Sequence, residues 1–256
     1  MSPILITLLV IGGVVLLLAI AYINQMVEAN KIEKARIRAE LTDRLRRCAD
    51  LNETFPGQLM SPALKQMLIR LQVNAVERLL TLNKNDQEAK SKLDELHKQQ
   101  ALGDAIAVNN PQEHILSEAK GKEVRFQLES LHAQLTRAVK EGVITPAEGK
   151  HWVGQIRHML CQVHIELFSN LGQQALQKQQ PGQARLAFER GVQYLSKQPD
   201  QVAYKEALDK FQNQLARANA LVLDNIKLAK DQPSELDTGL NSLGGDDEWK
   251  KKNIYD

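Results

Sequence analysis

The sequence predicts an all-α protein, and three observations carry that expectation. Apolar residues recur at steps of three and four through most of its 256 positions, as the buried stripe of a helix requires. Helix-start signatures stand where such stripes begin, at Ser61-Pro62 and at Thr145-Pro146-Ala147-Glu148. No segment alternates apolar and polar residues as a strand would, and Val143-Ile144 is too short to be one. The expected architecture is an N-terminal transmembrane helix, a helical stalk, antiparallel helical hairpins and a disordered C-terminal tail.

The first element is a membrane anchor over residues 4–23. Ile4 to Tyr22 is a run of 19 residues with no charged side chain, and none occurs before Glu28. At a helical rise of about 1.5 Å the run spans roughly 29 Å, close to the ~30 Å hydrocarbon core of a bilayer. Ala19-Ile20-Ala21 has the small-x-small form of a cleavage site, but Met1-Ser2-Pro3 lacks the positive region a signal peptide needs. The basic residues set the orientation. Lys31, Lys34, Arg36, Arg38, Arg44, Arg46 and Arg47 all follow the run, and basic flanks stay cytoplasmic. The expectation is a single-pass protein of a bacterial inner membrane, with the N-terminus outside and the C-terminal body in the cytoplasm. The same seven side chains are candidates for contact with anionic lipid head groups.

Residues 24–58 read as a charged juxtamembrane helix and a turn at Pro56-Gly57, with Ile37, Leu41, Leu45 and Cys48 on one stripe. Residues 61–102 read as a helical hairpin. Its first helix carries Leu64, Leu68, Leu71, Ala75, Leu79 and Leu82 inward, and its second carries Ala89, Leu93 and Leu96. Residues 112–226 read as a helical domain. One helix runs from about 112 to 141 on Ile115, Ala119, Val124, Leu128, Leu131, Leu135 and Ala138, and Gly142 ends it. The next runs from the Thr145 capping box to about Lys178 on Trp152, Ile156, Leu160 and Val163. The last, from 200 to about 225, carries Ala207, Phe211, Leu215 and Leu221.

Residues 228–256 lose the pattern, and the Ser-, Gly- and Asp-rich stretch to Asp247 is expected to be disordered. The chain then ends in Trp249, Lys250, Lys251, Lys252, Ile254 and Tyr255. Trp and Tyr are typical anchors of binding hot spots, so this terminal motif is a candidate for docking a protein partner.

Composition and motif content bound the chemistry. With 33 basic against 31 acidic residues, the net charge of +2 argues against nucleic acid as a partner. Two cysteines, Cys48 and Cys161, make neither a disulfide framework nor a four-cysteine zinc site. His158, Cys161 and His164 stand three apart on one helix, but such residues drift about 60° per step around it, which would strain a shared metal ion. Cys161 reads better as a small buried hydrophobe. His151 and Glu148, also three apart, read as a surface ion pair or a cap rather than an acid–base couple. There is no P-loop, no G-x-S-x-G, no H-E-x-x-H and no dinucleotide fingerprint. No enzyme activity, cofactor, metal or small-molecule substrate is therefore expected.

Residues 165–198 resemble a tetratricopeptide repeat. Phe168 stands at its first large aromatic position, Leu171-Gly172 is its Leu-Gly pair, Ala184 is the small residue opening its second helix, and Phe188 follows four later. Ala175 replaces the usual tyrosine, Gly191 replaces the usual alanine, and the closing proline, Pro199, comes about three residues late. The resemblance implies a helical hairpin packed through Phe168, Leu171, Gly172, Ala184, Phe188 and Gly191, with the 200–225 helix as its solvating cap. An N-terminal anchor with such a body is similar to bacterial single-pass inner-membrane proteins such as the lipopolysaccharide assembly protein B class. That class adds a cysteine-ligated metal knuckle, which this chain lacks. The resulting expectation is a membrane-tethered cytoplasmic scaffold or adaptor that binds other proteins. The second reading is a regulatory or accessory subunit of a membrane enzyme or transporter.

Overall fold

A computed structural model describes residues 3–231. Side chains of residues 3–11, 14, 15 and 228–231 fall outside the described set. Among the described residues the protein is all-α, with helices α1 (Pro3–Thr54), α2 (Pro62–Leu82), α3 (Gln87–Ala101), α4 (Glu118–Lys140), α5 (Pro146–Gln177), α6 (Pro181–Ser196) and α7 (Lys205–Asp231). A single 3-10 turn, Gly103–Ala105, follows α3.

Helix α1 merges the expected anchor and stalk into one element of 52 residues. From Val14 to Phe55 the sequence holds neither glycine nor proline, so nothing interrupts the backbone hydrogen bonds until Pro56. Among the described residues, no helix is long and apolar enough to cross a membrane. Residues 4–11, 14 and 15 of the apolar run are among those whose side chains lie outside the described set.

The chain divides into two compact units. The first takes Met1–Glu113 and Glu123–Met159; the second takes His114–Lys122 and the chain from Leu160 onward. In the first unit α2 is the central element. Leu64, Leu68, Leu71 and Ala75 are buried on one face, and Ile69, Val73 and Val76 on another. The second face packs with Leu96 of α3 and with Ile106, which follows the 3-10 turn. The sequence reading found only the first face, because a helix buried on two sides shows one clean stripe and a second that blurs into it. Ser61 caps α2 by accepting from the Leu64 N–H at 3.1 Å, and Pro62 takes the first helical position. Asp86 caps α3 in the same way, accepting from the Ala89 N–H at 3.1 Å.

Helix α4 starts six residues later than its apolar spacing suggests. The 114–116 backbone is instead satisfied by side chains of α5. The Ile115 N–H donates to the Glu166 carboxylate at 3.0 Å, Asn170 donates to the Ile115 carbonyl at 3.0 Å, and Gln174 donates to the Leu116 carbonyl at 3.1 Å. Ser117 then caps the helix through the Lys120 N–H. Ile115 is buried as expected, but from an irregular segment rather than a helical turn. At the other end Gly142 holds φ 73°. Val143 N–H reaches the Ala138 carbonyl and Gly142 N–H the Val139 carbonyl, the paired bonds of a Schellman stop.

The capping box at Thr145 is half made. Thr145 Oγ1 accepts from the Glu148 N–H at 3.2 Å, but the Glu148 carboxylate accepts from Arg70 of α2 instead of turning back. This also corrects the expected Glu148–His151 pairing: Glu148 is committed to Arg70, and the His151 ring lies against Trp152. The last helix begins at Lys205 rather than 200 and its backbone continues to Asp231, past the expected onset of disorder at 228. Residues 232–256, including Trp249, Lys250, Lys251, Lys252, Ile254 and Tyr255, lie outside the described residues.

Candidate functional site

The most concentrated polar arrangement in the first unit is built on one carboxylate. Arg44 of α1 donates through Nη1 to Glu141 Oε2 at 2.6 Å, and Arg78 of α2 donates to the same oxygen. Arg137 of α4 donates through Nε to Glu141 Oε1 at 2.9 Å and also pairs with Glu40 of α1. Glu141 follows directly on α4, so three helices meet at a single acidic group. Arg44 is only 1% exposed, and its Nε and Nη2 are enclosed without a hydrogen-bond acceptor. A buried guanidinium of that kind is costly unless its counter-charge is firmly held. Burial pushes the Glu141 carboxyl up, but the hydrogen bonds from Arg137 and Arg44, with the charges of Arg44 and Arg78, outweigh this and hold it below its ordinary value.

Arg44 is thereby removed from the set of head-group contacts. Its place among the juxtamembrane arginines predicts a basic surface residue, yet it lies on the face of α1 that also buries Leu41, Cys48 and Leu51. The other six, Lys31, Lys34, Arg36, Arg38, Arg46 and Arg47, are exposed. Arg47 sits 2.7 Å from Asp43 and Arg46 3.9 Å from Asp50 on the same helix, while Arg38 reaches Asp86 of α3 at 3.7 Å. One turn along from Arg44, Cys48 is fully enclosed, and burial pushes its thiol up to about 12 against the opposing charge of Arg44.

Beside Arg38, a cavity of about 610 Å³ opens between α1, α2 and α3. Leu45, Val76 and Leu79 contribute its apolar wall, and Asp86, Lys92 and Glu95 its charged rim.

In the second unit the residues expected to pack a repeat-like hairpin fall on α5 and α6. Ala184 and Phe188 are buried, while Phe168 and Leu171 are only half-buried. A Cβ on Gly172 would collide with the Phe188 ring, so this position admits no side chain while the ring stays where it is. A Cβ on Gly191 would stand 3.0 Å from the Phe211 ring of α7. The two rings are 6.3 Å apart, in the tilted arrangement aromatic pairs favour.

The H-x-x-C-x-x-H stretch does other work. His164 Nδ1 lies 2.7 Å from the Leu160 carbonyl, and its ring stacks on Tyr194 at 4.1 Å. Cys161 is buried with its sulfur 3.9 Å from the Tyr194 hydroxyl. Burial and the neighbouring Cys161 push the Tyr194 phenol up, and the same two causes raise Tyr204 to about 12. Among the described residues, no three His, Cys, Asp or Glu side chains gather as a metal ion would require. The sequence reading missed Tyr194 as the partner of this stretch, since nothing in one helix reports which aromatic of the next will face it.

No family model, characterised protein or solved structure matches this chain.

Proposed function

We propose that the protein is a membrane-tethered helical scaffold or adaptor, with α1 as its anchor and the two helical units as its cytoplasmic, protein-binding body. The observation that carries this reading is the state of Leu16, Leu17, Leu18 and Ile20. All four are large, apolar and exposed, and together with Ala19, also exposed, they point to every side of α1 at 100° per residue. Exposed apolar surface of that extent marks a membrane or protein contact. A neighbouring helix would cover one side; a bilayer covers all of them. The sequence from Ile4 to Tyr22 carries no charged side chain.

The continuous helix also sorts the basic residues. Lys31 is nine positions past Tyr22, about 14 Å along α1, while Arg46 and Arg47 are roughly 36 Å away. Lys31 and Lys34 are the nearest of the seven to the apolar run and the better candidates for head-group contact, while Arg46 and Arg47 stand several screening lengths of about 8–10 Å away. Gly172 beneath Phe188, with the cap helix α7 beyond, fits the tetratricopeptide-like hairpin that the sequence resembles.

The test is co-purification of the tagged full chain from membranes, followed by mass spectrometry. A scaffold recovers several proteins of an assembly. One stoichiometric integral-membrane partner would instead favour the accessory-subunit reading, and recovery of no protein would remove both.

A further inference from the structure

One seam runs along α1 at alternating steps of three and four residues. On from Leu41 it meets Arg44, Cys48 and Leu51, all buried with Leu41 in the first unit. Back from Leu41 the same steps meet Ile37, Lys34, Asn30, Val27, Ile23 and Ile20. Ile37 is half-buried and the other five are exposed. The spacing is a heptad repeat. Ile20, Val27, Lys34 and Leu41 stand at its a positions, and Ile23, Asn30 and Ile37 at its d positions. The half of the seam that precedes Leu41 thus has the pattern of a coiled-coil face.

The charges beside the seam say what fits it. The e positions hold Lys31 and Arg38, and the g positions hold Glu33 and Glu40. In a parallel pair of identical helices each g residue meets the next heptad's e residue of its neighbour, so Glu33 faces Arg38 once in each direction. In an antiparallel pair e meets e and g meets g, which sets Lys31 against Arg38 and Glu33 against Glu40. The pattern therefore complements itself in the parallel arrangement and repels itself in the other. Within one chain Glu33 lies 3.8 Å from Arg36, and Arg38 lies 3.7 Å from Asp86; Glu33 and Arg38 stay exposed, so these contacts bind them weakly. Asn30 and Lys34 are polar seam residues, which fix register and oligomer state at a cost in stability.

We propose that residues 20–37 of α1 pair in parallel with the same residues of a second copy of this chain, joining two protomers along the N-terminal half of the helix. The pairing rests on the heptad and its charges, and it stands whether or not the preceding run spans a membrane. The experiment is cross-linking of the purified full chain in mild detergent with a short bis-maleimide. Val27→Cys puts a thiol in the seam, and Ile32→Cys puts one at an f position on the opposite side of the helix. Wild type, whose Cys48 and Cys161 are buried, is the blank. Val27→Cys should give a product of twice the chain mass in about tenfold the yield of Ile32→Cys. Added to Val27→Cys, Glu33→Lys and Arg38→Glu should each cut that yield by about threefold or more, and the two together should restore it. Equal yields from positions 27 and 32, or no product from Val27→Cys, would overturn the proposal. So would single charge changes that leave the yield unaltered or raise it, a rise being the mark of an antiparallel pair. A charge-swapped double variant that links no better than the single ones would overturn it too.

Discussion

Arg44 and Glu141 stand 97 positions apart in the chain and 2.6 Å apart in the fold. The pair is asymmetric. Among the described residues Arg44 has Glu141 as its only acceptor and is almost wholly enclosed, while Glu141 has two further arginines, Arg78 and Arg137. Removing the acid therefore strands a buried cation, whereas removing Arg44 leaves the acid satisfied. We expect Glu141→Gln to cost about 2–3 kcal/mol, reduced from the fully buried case because Glu141 keeps some solvent exposure. Arg44→Met should cost about 1 kcal/mol or less. Urea unfolding of the full chain in detergent, followed by far-ultraviolet circular dichroism, measures both; equal costs would contradict the asymmetry.

The same carboxylate makes stability fall in acid. Its folded-state pKa is held below the ordinary 4.5, so its contribution is complete above the unfolded value. That contribution is lost as pH falls through the lower, folded one. Wild type should lose stability more steeply than Glu141→Gln as pH falls below the ordinary carboxylate range, with the difference between them shrinking toward the acid end. Parallel curves for the two proteins would mean that other groups carry the acid response.

Gly172 and Phe188 should be energetically coupled. Phe188 is 1% exposed and its ring fills the space a Gly172 side chain would need. Phe188→Ala should cost about 3–5 kcal/mol through the cavity it leaves. Gly172→Ala should cost about 1–3 kcal/mol through overpacking. The double variant should cost less than the sum, since the missing ring makes room for the new methyl group. Strict additivity in a double-mutant cycle would show that the two positions do not touch.

Gln179 holds φ 56° at the end of α5, where its N–H bonds to Leu176 and that of Gln180 to Ala175. This is the position a glycine usually takes in a Schellman stop, and a residue with a Cβ is strained there by about 1–2 kcal/mol. Gln179→Gly should raise stability by about 0.5–1 kcal/mol once glycine's larger unfolded-state entropy is subtracted. A thermal melt decides it, and a lower melting temperature would contradict the reading.

The helices were legible in the sequence wherever one apolar face and a local cap agreed. Ser61-Pro62 before Leu64 and Gly142 after Ala138 are such cases, because capping bonds form within a few residues. What escaped was non-local. Arg44 looks like its neighbours Arg46 and Arg47 until Glu141 arrives from 97 residues away to bury it. The apolar spacing at Ile115 and Ala119 suggested a helix, but Glu166, Asn170 and Gln174 supply the backbone partners that hold 114–116 in another form. Cys161 already reads as a small buried hydrophobe, but the ring it and His164 pack against, Tyr194, comes from the following helix and has no signal in their own.

Alkaline carbonate extraction tests the proposed anchoring of α1 in a membrane. Membranes from cells expressing the full chain are washed at high pH, which strips peripheral proteins but leaves spanning helices in place, and the same is done for a chain lacking residues 1–23. The full chain should stay in the pellet until detergent is added, and the shortened chain should appear in the supernatant. Release of the full chain by carbonate alone would contradict it.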